Sequence, residues 1–138
     1  MAITPGTYRI KNAAAWTTID QSTDGTAKIH GWKQTDQANQ HWQVEATNAK
    51  SYTIKNLWSK SFLHAKAPTD GCELTGGSDP SLWYLDQMKD DGSVYITYPG
   101  SNKVVDLDNG SNADGAIIHL WEKNSNGAKQ QRWFFEKI

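Results

Sequence analysis

The chain states one pattern three times, and that constrains its fold more than any other feature. The segments Gly6–Thr47, Lys50–Lys89 and Gly92–Ile138 can be laid on one another. Each opens on an alternating stretch: Tyr8-Arg9-Ile10-Lys11-Asn12, Tyr52-Thr53-Ile54-Lys55-Asn56 and Val94-Tyr95-Ile96-Thr97-Tyr98. Each continues to a short apolar run with one polar residue, at Thr18-Ile19-Asp20, Phe62-Leu63-His64 and Val104-Val105-Asp106-Leu107. Each closes on a tryptophan, Trp42, Trp83 or Trp133. The opening stretches lie 44 and 42 residues apart, and the closing tryptophans 41 and 50. A period of about 40–50 residues marks a repeat architecture.

Alternation is the main signal inside each unit. Tyr8/Ile10, Trp42/Val44, Tyr52/Ile54, Val94/Ile96 and Trp133/Phe135 each put two large side chains on one face of a strand. Asp24-Gly25, Asp70-Gly71, Asp91-Gly92, Asn109-Gly110, Asp114-Gly115 and Asn126-Gly127 are the turns between them, since such pairs readily adopt positive φ. No window shows helical periodicity. The expectation is an all-β chain of about four short strands per repeat, about twelve in all, as one domain over residues 1–138. Three copies close into a barrel more readily than into a propeller, which needs about four or more blades.

Composition excludes several functions. With 138 residues the core can stand without staples. The net charge of −1 is interspersed, which leaves no basic face for nucleic acid and no polybasic arm for membranes. The one cysteine, Cys72, has no partner for a disulfide. No apolar run approaches the roughly 20 residues of a membrane-spanning helix. The stretch MAITPGTYRI has neither the basic start nor the apolar run of a leader. The expectation is cytoplasmic residence, or release by a route the sequence does not announce.

The 7 tryptophans sort into kinds. Trp42, Trp83 and Trp133 occur in all three repeats and are read as shared core. Gln40 and Gln131, two residues earlier, are read as structural hydrogen-bonding groups. Trp32 and Trp121 occur only in repeats one and three, at the ends of Ile29-His30-Gly31-Trp32 and Ile118-His119-Leu120-Trp121. The core does not need them. Trp16 and Trp58 lie in loops, and packing anchor, interface and subsite all remain open for them.

The stretch VVDLDNGSNADGAIIHLWEKNSNGAKQQRWFF resembles a ricin-B-type repeat. Its marks are an Asp in an apolar run, an apolar-x-Leu-Trp strand, a polar loop and Gln-x-Trp. TTIDQSTDGTAKIHGWKQTDQANQHWQV carries the same signature, and ITPGTYRIKNAAAWTTID resembles the opening of small fungal lectins of this family. The resemblance implies a β-trefoil, a six-stranded barrel capped by three hairpins. It implies binding of terminal galactose or N-acetylgalactosamine on glycoproteins or glycolipids, with a role in defence and no cofactor. It also implies the site residues. In repeat one these are Asp20, His30, Trp32 and Asn39, and in repeat three Asp106, His119, Trp121 and Gln130. The Asp would accept sugar hydroxyls and the extra Trp would stack on the sugar ring. Asp20 to Trp32 is 12 residues and Trp32 to Asn39 is 7, against 15 and 9 in repeat three. Repeat one ranks first because it alone has Asn at the amide position. Repeat two has His64 at the Asp position, Pro80 at the amide position and no platform aromatic, so no site is expected there.

Taken singly, Asp20 reads better as a turn cap and Trp32 as a rim residue packed under a loop. The set of four, present twice, favours a ligand site. Removing Asp20 is then expected to weaken binding and hardly touch stability. Enzyme readings are weak. The four histidines show no metal-ligand spacing, and Cys72 with His64 is a poor nucleophile–base pair. The competing class is a β-trefoil protease inhibitor, and a third is a structural or actin-associated trefoil. Neither explains the duplicated set. A single sugar site is weak, so a homodimer through Trp16 and Trp58 is a candidate source of avidity.

Overall fold

The computed structural model describes residues 3–47 and 50–138. Met1 and Ala2, where the stretch searched for a leader begins, and Asn48 and Ala49 lie outside the described residues. Repeat one supplies strands β1 (Gly6–Asn12), β2 (Thr18–Gln21), β3 (Ile29–Trp32) and β4 (Trp42–Ala46). Repeat two supplies β5 (Tyr52–Asn56), β6 (Phe62–His64), β7 (Thr75–Gly77) and β8 (Tyr84–Gln87). Repeat three supplies β9 (Val94–Thr97), β10 (Lys103–Leu107), β11 (Ala116–Glu122) and β12 (Trp133–Lys137).

Six of these strands close a barrel. Antiparallel pairs β1–β4, β4–β5, β8–β9, β9–β12 and β12–β1 run round it. A bridge between Tyr52 and Trp83 joins β5 to β8. The other six form hairpins β2–β3, β6–β7 and β10–β11. The hairpins meet through the β3–β11 pairing and through bridges Lys28–Thr75 and Glu73–His119. The fold is a β-trefoil, as the family resemblance implied. No described helix is long and apolar enough to cross a membrane.

The core is built in layers with one residue per repeat. Ile10, Ile54 and Ile96 are fully buried, as are Ile19, Leu63 and Val105. Trp42, Trp83 and Trp133 are 0–1% exposed, which agrees with their reading as shared core. Their indole N–H groups donate to the backbone carbonyls of Ile19, Leu63 and Val105, all at 2.9 Å. A buried indole needs such an acceptor. Each acceptor immediately precedes the polar residue of its apolar run, so the core tryptophan fixes the backbone next to Asp20, His64 or Asp106.

Candidate functional site

Antiparallel register sets the first element of the site. Asp20 on β2 lies opposite His30 on β3, and Asp106 on β10 opposite His119 on β11. Side chains directly opposite on one face touch. His30 Nε2–H donates to Asp20 Oδ1 at 2.8 Å, and His119 Nε2–H to Asp106 Oδ1 at 3.0 Å. A carboxylate only accepts, so the ring nitrogen carries the hydrogen. Two residues along each strand comes the second tryptophan. The His30 and Trp32 rings lie 5.1 Å apart, and the His119 and Trp121 rings 5.3 Å.

The second carboxylate oxygen is held from the short 3₁₀ turns before Trp42 and Trp133, at Ala38–Gln40 and Lys129–Gln131. Gln40 Nε2 donates to Asp20 Oδ2 at 2.9 Å and to the Lys33 carbonyl. Gln131 Nε2 donates to Asp106 Oδ2 at 3.0 Å and to the Glu122 carbonyl. Both glutamines are completely buried, as their structural reading requires. The sites differ at the preceding residue. Asn39 Nδ2 reaches Asp20 Oδ2 at 3.2 Å and the Gln21 carbonyl at 3.1 Å. Gln130 lines the site at Asp106 but makes no side-chain hydrogen bond among the described residues.

These bonds bear on what each carboxylate can still accept. A carboxylate offers about four acceptor positions. Asp106 uses two of them on the protein and Asp20 three. Two ligand hydroxyls can bond Asp106 directly. At Asp20 the second requires Asn39 to release its bond, the longest of the three. The structure also revises the expected cost of removing Asp20. That residue is 5% exposed and anchors three side chains, so its loss strands buried donors.

Each platform strand is latched from a neighbouring repeat. Asp114 Oδ1 accepts the Lys33 N–H at 2.9 Å, and Asp70 Oδ1 accepts the Glu122 N–H at 2.8 Å. Behind them stand Gly115 and Gly71, both at positive φ, where an added Cβ would lie 3.9 Å from the Trp32 and Trp121 rings. The hydrogen bond from the Lys103 ammonium holds the Asp70 carboxyl below its ordinary value, which keeps the latch charged. His119 is shifted upward, chiefly by its hydrogen bond to Asp106 and against the opposing effect of burial.

Repeat two has lost this arrangement. His64 stands opposite Thr75, and its Nδ1 contacts Ser81 Oγ at 2.7 Å. Gly77 holds the platform position. A Cβ there would lie 2.9 Å from the His64 Cβ, so an aromatic cannot be restored without moving His64.

One lining residue is a loop tryptophan whose role the sequence left open among packing anchor, interface and subsite. Trp58, from repeat two, faces the same cavity as Asp20, His30, Trp32 and Asn39. Its signal was the repeat offset, because Asn12 and Asn56 begin equivalent turns and Trp58 falls where repeat one has Ala14. Among the described residues no group of three or more His, Cys, Asp or Glu side chains is placed to hold a metal ion.

Comparison with known proteins agrees with the fold. The Macrolepiota procera ricin B-like lectin, solved in complex with lactose, is 27% identical to this chain. It superposes with a TM-score of 0.91 over 100% of both chains. The Rhizoctonia solani agglutinin matches 100% of this chain and 99% of its own, at 19% identity and a TM-score of 0.89. A designed threefold-symmetric protein, ThreeFoil, matches 96% of this chain and 99% of its own, at 20% identity and a TM-score of 0.88. The family model of the ricin-type beta-trefoil lectin domain-like proteins matches residues 2–76 and 64–121, so the chain belongs to that family.

Proposed function

We propose that the protein is a non-enzymatic carbohydrate-binding module for glycans ending in galactose or N-acetylgalactosamine, with its leading site at Asp20, His30, Trp32 and Asn39. The observation that carries this reading is the pairing of a held carboxylate with an adjacent indole, present twice. Galactose has an axial O4, which leaves one ring face as a patch of C–H groups. That face packs on Trp32, while the hydroxyls at the edge bond Asp20 and the Asn39 amide. His30 orients the carboxylate. Asp106, His119, Trp121 and Gln130 form the second site on the same plan. The lactose complex of the Macrolepiota procera lectin, 27% identical over the whole chain, supports the sugar class.

Each site is shallow, so free galactose should bind at about millimolar to high-micromolar Kd. Two sites per chain give bivalency, and association of two chains would add to it. Trp16, 51% exposed, is the aromatic available for such an interface. Recognition of foreign glycans in defence is the role that fits a weak, multivalent binder without chemistry of its own. A glycan array, followed by calorimetry with galactose, tests the reading. Binding confined to glycans ending in galactose or N-acetylgalactosamine is expected, and absence of any glycan binding overturns it.

A further inference from the structure

Trp58 is 47% exposed in the turn between β5 and β6, yet it lines the cavity at Asp20 and Trp32. The turn is fixed to that site. Asn56 Oδ1 accepts the N–H groups of Trp58 and Ser59, both at 3.1 Å, and Asn56 Nδ2 donates to the Asn39 carbonyl at 3.0 Å. Ser59 Oγ donates to Gln21 Oε1 at 2.9 Å, and Gln21 Nε2 to Ser61 Oγ at 3.2 Å. Gln21 is the neighbour of Asp20 on β2. The backbone that carries the indole is therefore held beside the site without ligand, and little backbone ordering is left for binding to supply. Its ring has no aromatic or cationic partner among the described residues. Trp16, by contrast, meets Phe134 and lies under the Lys11 ammonium.

Site three has the same turn without the indole. Asn12 Oδ1 accepts the N–H groups of Ala14 and Ala15, and Asn12 Nδ2 donates to the Gln130 carbonyl. The equivalent of Trp58 is Ala14. The 3₁₀ turn Asp108–Gly110 closes against it, so that a Cβ at Gly110 would sit 3.5 Å from the Ala14 Cβ. The cavity at site one is about 490 Å³ and that at site three about 260 Å³.

We propose that Trp58 is the wall of a second subsite, taking the apolar face of a second pyranose ring joined to the galactose at Trp32. Site one thereby selects a disaccharide, and site three a single sugar. The inference rests on the galactose reading above. The test uses a Trp121→Ala chain, which silences site three, and titrates it by calorimetry with galactose and with lactose. Lactose should bind about three- to tenfold more tightly, the worth of one aromatic stack. Adding Trp58→Ala should bring lactose down to the affinity of galactose and leave galactose unchanged. Trp58→Phe should restore most of the difference. A lactose preference that survives Trp58→Ala overturns the proposal, and so does an equal fall for both sugars. If the chain with Trp58 intact binds the two sugars equally, the subsite falls and the galactose reading stands. If it binds neither, the galactose reading falls first.

Discussion

At the scale of single residues, burial separates the two kinds of tryptophan. Trp42 is enclosed and donates to the Ile19 carbonyl. Trp42→Ala should cost about 3–5 kcal/mol of stability, read by chemical denaturation. Trp32→Ala should reduce sugar affinity with only a small change in the melting midpoint. The reverse pattern would mean that platform and core have been exchanged. Asp20→Ala mixes the two effects. It should lower affinity at least tenfold and also cost about 1–3 kcal/mol, because the buried His30 donor loses its acceptor. His119 adds a pH dependence. Asp106 raises its pKa in the folded chain, so the stabilisation is complete below the ordinary histidine value of 6.5. It fades as pH rises through the raised folded value. The difference in melting temperature between wild type and His119→Gln should thus be larger at acidic than at alkaline pH. A constant difference across that range would remove the charged pair.

At the scale of elements, alternating strands were the legible part. β5 alternates in burial throughout, whereas β1 buries Ile10 to Asn12 and β9 Val94 to Ile96 in succession, yet Ile10, Ile54 and Ile96 all enter the core as the pattern requires. β2 shows no alternation, because all four of its residues are buried. It could be read only as an apolar run around Asp20. The 3₁₀ turns carrying Asn39 and Gln130 were not legible, since three residues set no period. The Asp-Gly pairs announced turns, but a pair cannot say which backbone it will meet across the fold. Asp114 is the clearest case. It belongs to repeat three and holds Lys33 of repeat one, 81 residues away. Asp114→Ala should therefore weaken sugar binding at site one without touching the sugar. Calorimetry on a Trp121→Ala background should show an affinity loss that Asp114→Asn partly recovers. Unchanged affinity would mean that the platform strand stays in place without its latch.

At the scale of the whole molecule, pseudo-threefold symmetry was visible from the 44- and 42-residue offsets. Its unequal outcome was visible only in part. Loss of the second site could be read from His64 and Pro80. The crowding of Gly77 against His64 could not, because it depends on distance across a hairpin. On the proposed reading, two sites on separate repeats would make the molecule a cross-linker. Trp32→Ala and Trp121→Ala should each abolish agglutination of galactose-bearing cells while calorimetry still counts the remaining site. Agglutination that persists with one site per chain would place the second valence in a dimer.

Asn12, at the start of the chain, holds the carbonyl of Gln130 near its end, and Asn56 does the same for Asn39. The latches run between repeats too, from Asp114 to Lys33 and from Asp70 to Glu122. Each of the two candidate sites thus draws on all three repeats. Repeat one or repeat three alone, cut out as a peptide, would own a carboxylate and an indole but not all the groups that hold them in place. It would have to gather into a trimer before it made even one working pocket. On the proposed reading, recognition is a property of the closed ring and not of any one of its three parts.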